Sequence, residues 1–299
     1  MFVYWDKKKI IEHQLTAHAA EQLARKPNAR RHSSKPNVSG KHNKVTEMKF
    51  ELLKVLDKIL DLYKLPRNKE RFDKYLYLLQ GANKVEMILP IAAFNPMGKE
   101  LALNKVEALL ALDAEALVGK CLKQINLELR GSDERVFKVA INLIDDVEGS
   151  WSNYAVTDYK NKFEFDGLIK RNFCTPIFWT SESVSEEKIT QRTKEYLYRT
   201  IYWIHKGRPE RLFDCFEQEV YVNMACENQF IKSELLDIEL IEHYYHQHLN
   251  STDYNLNLNF FYGDEETKEL NFPSYGIPKN GGFNFVKYIA DKRRKEASH

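Results

Sequence analysis

The chain lacks the short motifs that carry nucleotide and hydrolytic chemistry. It contains no GxGxxG, no GxxxxGK[ST], no GxSxG and no HExxH. A standard phosphate loop, a dinucleotide-binding turn, a nucleophile elbow and a helical zinc-protease site are therefore not signalled. No apolar stretch approaches the ~20 residues that a membrane helix needs, and none of the chain reads as a membrane partner. Cysteine is scarce: Cys121, Cys174, Cys215 and Cys226 stand far apart and form no CxxC, which argues against a zinc knuckle or a dithiol redox motif. The apolar start at Met1 to Trp5 runs into Asp6-Lys7-Lys8-Lys9. A secretory signal has its charges first, so the order is reversed, and reduced thiols in the cytoplasm are the expectation. Net charge is only +2 over 299 residues, too small for a strong field of one sign. There is no internal repeat, and the regular strand–helix alternation of a doubly wound sheet is missing.

What charge there is lies unevenly. Residues 1–50 carry 11 Lys and Arg against 4 Asp and Glu, a net of +7, and the rest of the chain nets −5. Apolar residues nearly vanish between Lys26 and Val45, so this tract cannot bury enough surface to offset its ordering entropy. Residues 1–45 read as a basic arm and flexible linker. The tract has no aromatics to stack on bases, which argues against a single-strand nucleic-acid binder. Residues 46–299 read as one domain, with a subdivision near residue 131 as the variant.

Helical periodicity opens that domain. Phe50, Leu53, Leu56, Leu60 and Tyr63 define one face of a helix from Thr46 that Pro66 stops. Asn68 is placed to cap the next, and Gly81 to end it. The period then changes: Phe137, Val139, Ile141 and Leu143 alternate with Lys138, Ala140 and Asn142, the pattern of a strand with one buried face. Phe163 and Phe165 alternate with Lys162 and Glu164 ahead of Asp166-Gly167, a hairpin signal, and a second apolar run reaches Trp179. A small antiparallel sheet follows from this reading. Ser185 begins a long helix ending at Gly207, Pro209 opens another, and a third runs from about Gln229 to Leu249. Asn255 to Phe260 alternates like a strand. The expected fold is α+β, mostly helical, with helical layers around a small antiparallel sheet.

Three constellations can carry chemistry. The loop after the first strand holds Asp145, Asp146 and Glu148 as candidate catalytic carboxylates, which can divide acid and base roles or ligate a hard divalent cation. Trp151 and Tyr154 can stack on a ring, and Asn153 and Asp158 add directional hydrogen bonds. The second is Lys170 and Arg171, which a hairpin would bring near the acidic loop to hold an anionic group; Cys174 follows as a thiol in a strand. The third is Glu242 and His246, one turn apart on the last long helix, half of a metal site if Glu219 and Asn223 supply the rest. On the stripe drawn through Ile231, Leu235, Ile238, Tyr245 and Leu249, Glu242 falls on the buried face. The expected function is binding of a small polar or anionic ligand in a cleft of residues 145–179, as a carboxylate- or metal-dependent hydrolase. The alternative is a non-catalytic interaction protein whose basic arm engages a partner protein, a second copy or nucleic acid.

Overall fold

The alternating apolar run at Val136 to Ile144 forms the centre of the sheet. In the computed structural model, which describes residues 48–129, 134–149, 153–228 and 238–298, it gives strands β2 (Val136–Val139) and β3 (Asn142–Ile144). The basic arm of residues 1–45 and Trp151 lie outside the described residues, as does the segment 229–237, which holds the expected start of the third helix. From Val139 onward the strand is buried on both faces, Ala140 and Asn142 included.

The sheet is parallel, and the antiparallel expectation is corrected. Strand β1 (Lys49–Leu52) pairs with β2 in parallel, Phe50 opposite Phe137, and the order across the sheet is β1, β2, β4, with β4 at Phe173–Cys174. Beyond an interruption at Ala140-Ile141, β3 pairs in parallel with β5 (Ile177–Trp179), Leu143 opposite Phe178. The ladder runs on through the break. Ala140 N–H donates to the Cys174 carbonyl at 3.1 Å, and Asn142 N–H to the Pro176 carbonyl at 2.9 Å. Parallel neighbours need a crossover of about a dozen residues or more, and helices supply it. Between β1 and β2 lie α1 (Leu56–Tyr63), α2 (Lys69–Gln80), α3 (Glu100–Ala111) and α4 (Ala114–Glu128). Between β3 and β4 lie α5 (Tyr154–Phe163) and α6 (Asp166–Lys170). The expected hairpin at Asp166-Gly167 is thus a short helix. Phe163 and Phe165 alternate only over a window too short to separate the two periods; Phe163 ends α5, and Phe165 packs on Trp203 with ring centroids 4.1 Å apart.

Both edges of the sheet are closed by side chains. The helix expected from Thr46 is instead β1 followed by α1, and two long-range polar contacts separate them. Asn126 of α4 accepts from Phe50 N–H at 2.9 Å and donates to its carbonyl at 2.8 Å, taking the place of a neighbouring strand. The Glu115 carboxylate accepts from the N–H groups of Val55 and Leu56 at 2.6 and 3.0 Å, capping α1 with negative charge. On the other edge, Trp179 N–H donates to Glu182 at 3.0 Å and Arg192 donates to the Ile177 carbonyl at 3.1 Å, with Glu182 and Arg192 paired to each other.

The remaining helices are α7 (Glu186–Lys206), α8 (Leu212–Ala225), α9 (Ile238–His248), α10 (Tyr254–Tyr262), α11 (Asp264–Thr267) and α12 (Gly281–Ala297). Ser185 caps α7 by accepting from Lys188 N–H at 3.1 Å, and Gly207 ends it in a left-handed conformation at φ 83°, as the sequence suggests. The alternating Asn255 to Phe260 is helical. Asp253 caps α10 by accepting from Leu256 N–H at 2.9 Å, and from Leu256 to Tyr262 the helix is buried all round, Asn257 and Asn259 with it. Asn259 is accommodated there by donating to Asp264 and Thr267 at 2.8 and 3.0 Å.

Two apolar clusters make the core. The first gathers the sheet, α1 to α4 and much of α7, spanning residues before and after 130–133; the second gathers α5, most of α8, α9, α10 and α12. Among the described residues, no helix is long and apolar enough to cross a membrane.

Candidate functional site

In an open parallel sheet, ligands bind beyond the carboxyl ends of the strands. Here that end is where β3 and β5 deliver Asp145-Asp146 and Thr180-Ser181 side by side, tied by Thr180 N–H donating to the Ile144 carbonyl at 3.0 Å. Asp145 is 5% exposed. Its Oδ1 accepts from Glu148 N–H at 3.0 Å and lies 3.1 Å from the Thr180 hydroxyl. That hydroxyl is also 2.9 Å from Asp146 Oδ1, so its single hydrogen serves one carboxylate at a time. Asp146 further accepts from Ser181 N–H at 3.0 Å and from the Ser181 hydroxyl at 2.6 Å. The chain turns sharply after Glu148: a Cβ on Gly149 would overlap the Asp145 carbonyl oxygen.

Two oxygens in this loop are buried with no hydrogen-bond partner among the described residues, Asp145 Oδ2 and Glu148 Oε2. A desolvated carboxylate oxygen without a donor is costly. Among the described residues no Lys, Arg or His forms an ion pair with Asp145, Asp146 or Glu148.

The expected neighbours of this loop divide. Asn153 is occupied as the cap of α5, accepting from Val156 N–H at 3.0 Å. Tyr154 packs on Trp179 with ring centroids 4.6 Å apart; burial, and then the charge of Asp158, pushes its hydroxyl well above the usual tyrosine range. Asp158 sits one turn further along α5 and is buried. It accepts from the Tyr262 hydroxyl at 2.7 Å and pairs with Lys162. Burial alone would raise its pKa, but Lys162 and the Tyr262 hydrogen bond outweigh burial and hold it below the ordinary value.

Lys170 and Arg171 do not join the site. They are exposed at the start of β4, the opposite end of the sheet from Asp145, and Arg171 donates to the Gly167 carbonyl at 2.9 Å. A hairpin would have brought them near the acids; a parallel strand entered through a crossover carries them away. Cys174 is buried in β4, and burial pushes its thiol up to about 12, which suits a packing residue and not a nucleophile.

Glu242 and His246 are also apart from this site and from any further donor among the described residues. Their side chains are 50% and 63% exposed and 3.8 Å from each other. The buried face of α9 runs through Ile241, Tyr244 and Tyr245. The expected stripe takes its phase from Ile231 and Leu235, which lie outside the described residues, so Glu242 is corrected from a buried to an exposed position. Glu219, their expected partner, is engaged elsewhere: it binds Arg199 in a buried two-pronged pair at 2.7 and 2.6 Å, and Asn223 donates to its carbonyl. No group of three His, Cys, Asp or Glu side chains among the described residues is arranged to hold a metal ion.

Sequence reasoning missed Thr180, Ser181, Glu182 and Arg192. Thr180, Ser181 and Glu182 directly follow the second strand and Arg192 lies on α7, but they mark a site only once the two strands are known to be parallel and to end together. Of these residues, Arg192 also lines a cleft of about 650 Å³, with Ser185, Lys188, Gln191, Glu195 and Asn228. Its size suits a small ligand. None of the residues expected between 145 and 179 lines it, and Arg192 alone links it to the sheet edge. No family model, no curated protein and no solved structure matches this chain.

Proposed function

We propose that the protein binds a small polar ligand at the carboxyl end of its parallel sheet, on Asp145, Asp146 and Glu148, and that general acid–base hydrolysis is the chemistry these groups serve. The observation that carries this reading is the pair of buried carboxylate oxygens left without donors in a loop anchored to a fully buried strand. A ligand's hydroxyl, amide or ammonium hydrogens satisfy such oxygens. The roles divide by hydrogen bonding. Asp146 is held by Ser181 and orients; the Glu148 carboxylate accepts no hydrogen bond among the described residues and is the base. Lys170 and Arg171 lie at the far end of the sheet and contribute nothing to this reading, so the ligand class narrows from polar or anionic to polar with donor groups.

The test is a thermal-shift screen of polar small molecules against the full-length protein, repeated with Asp146→Asn and Glu148→Gln. Compounds that stabilise the wild type are expected to lose their effect in both variants, with circular dichroism unchanged. Stabilisation that persists in both variants places the ligand elsewhere and refutes the reading.

A further inference from the structure

We infer that the cleft on α7 binds a free α-amino acid, its carboxylate on Arg192 and its ammonium on Glu195. This site is separate from the carboxylate loop, and the inference goes beyond the reading just given.

The cleft of about 650 Å³ lies between α7, the turn after α8, and α12. Its wall carries three cations, Lys188, Arg192 and Lys287, against three acids, Glu187, Glu195 and Glu227. A wall balanced in this way favours a ligand that carries both charges over a plain anion or cation. Arg192 and Glu195 are half-buried and stand three residues apart on α7, which makes them neighbours on one helix face. Arg192 is held from one side. Its Nη1 donates to the Ile177 carbonyl at 3.1 Å and pairs with Glu182, and the guanidinium lies over the Phe178 ring, 5.2 Å from the centroid. Its Nε and Nη2 make no hydrogen bond among the described residues and are not buried. Those two groups form the planar edge that meets a carboxylate through two parallel hydrogen bonds. Glu195 is held in the same manner. Its Oε1 accepts from Gln191 at 3.1 Å and from Asn228 at 3.2 Å, while Oε2 makes no hydrogen bond among the described residues and is not buried. Asn228 is fixed in turn: it is hydrogen-bonded to Gln191, donates to Asn223 Oδ1 at 2.9 Å, and accepts at its carbonyl from Arg294 at 2.5 Å. Each charge is thus preset by the fold with one edge left open, which lowers the ordering cost of binding. In an α-amino acid the carboxylate and the ammonium share one carbon, matching two opposite charges that neighbour each other on a helix.

Calorimetric titration of the proteinogenic L-amino acids, one at a time, into the full-length protein tests this. At least one is expected to saturate a single site at millimolar concentration or below. Its N-acetyl derivative lacks the ammonium and its amide derivative lacks the carboxylate; each is expected to bind at least about tenfold more weakly, the worth of one charge-assisted hydrogen bond. Glu195→Gln is expected to cost the same factor. Its amide oxygen still accepts from Gln191 and Asn228, so it melts like the wild type. Arg192→Lys keeps the charge and loses the planar edge, with the same loss of affinity. Arg192 also holds the sheet edge, so Glu195→Gln decides alone if Arg192→Lys does not fold, and the two derivatives test the wild type without any variant. No saturable heat with any amino acid, equal affinity in Glu195→Gln, or a derivative that binds as tightly as its parent overturns the inference. Compounds whose binding depends on Glu195 belong to the cleft and do not bear on the carboxylate loop.

Discussion

Removing Glu219 while leaving Arg199 in place tests how the two halves of this core are joined. Arg199 belongs to α7 and Glu219 to α8; both are almost fully buried and bind through two hydrogen bonds of 2.7 and 2.6 Å. Gln218 braces the pair, donating to Glu219 at 3.0 Å and to the Lys162 carbonyl at 2.9 Å while accepting from the Trp203 indole at 2.6 Å. Arg199 Nη1 already lacks a partner among the described residues. Glu219→Met leaves a buried guanidinium without its two-pronged carboxylate partner, a loss of roughly 3–5 kcal/mol. At about 2–4 °C per kcal/mol for a domain of this size class, the melting temperature falls by roughly 10 °C. The double variant Arg199→Met with Glu219→Met removes both desolvation costs and fills the space with apolar side chains. It is expected to recover more than half of the loss, because a buried pair contributes little net stability relative to well-packed hydrophobes. Urea unfolding followed by both circular dichroism and tryptophan fluorescence gives the free energies for a double-mutant cycle. A single-variant loss below about 1 kcal/mol, or simple additivity of the two substitutions, refutes this account of the pair.

Acid sensitivity follows from Glu219 and three other paired carboxylates. Asp158, Glu219, Asp214 and Asp264 all have folded pKa values held below their ordinary values of 3.8 and 4.5, in each case because charged or hydrogen-bonding partners outweigh burial. Such groups contribute stability that is fully present above the unfolded values and lost as pH falls through the folded ones. Stability is therefore expected to hold from neutrality to about pH 5 and to decline below about pH 4, measured by urea midpoints across that range; Asp158→Asn flattens the decline, and an unchanged slope contradicts the assignment. Gly149→Ala is expected to destabilise by roughly 1–3 kcal/mol through displacement of the loop; a variant with wild-type melting contradicts the tight turn.

Strand and helix signals that depend on neighbours in sequence hold well. The alternation of Phe137, Val139, Ile141 and Leu143 is a strand, Asn68 and Ser185 are caps, and Gly81 and Gly207 end their helices. Asp145, Asp146 and Glu148 stand where a strand pattern breaks into acids, which is enough to nominate them. Signals that depend on distant partners fail. β1 is separated from α1 by Asn126 and Glu115, two helical residues more than 50 positions away, and nothing local at Lys49 to Leu52 announces them. Asn257 and Asn259 look like the outer face of a strand because a polar residue is read as exposed; buried partners of Asn259 reverse that.

By itself, then, the sequence determined the mostly helical class, the central strand, the helix ends at Asn68, Gly81, Ser185 and Gly207, and the acidic loop, all set by side-chain period, capping chemistry and turn preference over a few residues; the starts expected at Thr46 and Pro209 fall instead at Leu56 and Leu212. Tertiary structure alone decided that the strands are parallel. Strand direction is a property of the connection, and the connection at 153–172 is helical because Tyr159 and Phe163 are buried in the second cluster. That one decision places Lys170 and Arg171 at the far end of the sheet, and brings Thr180 and Ser181 to Asp145 and Asp146. It also leaves two carboxylate oxygens buried with no donor among the described residues.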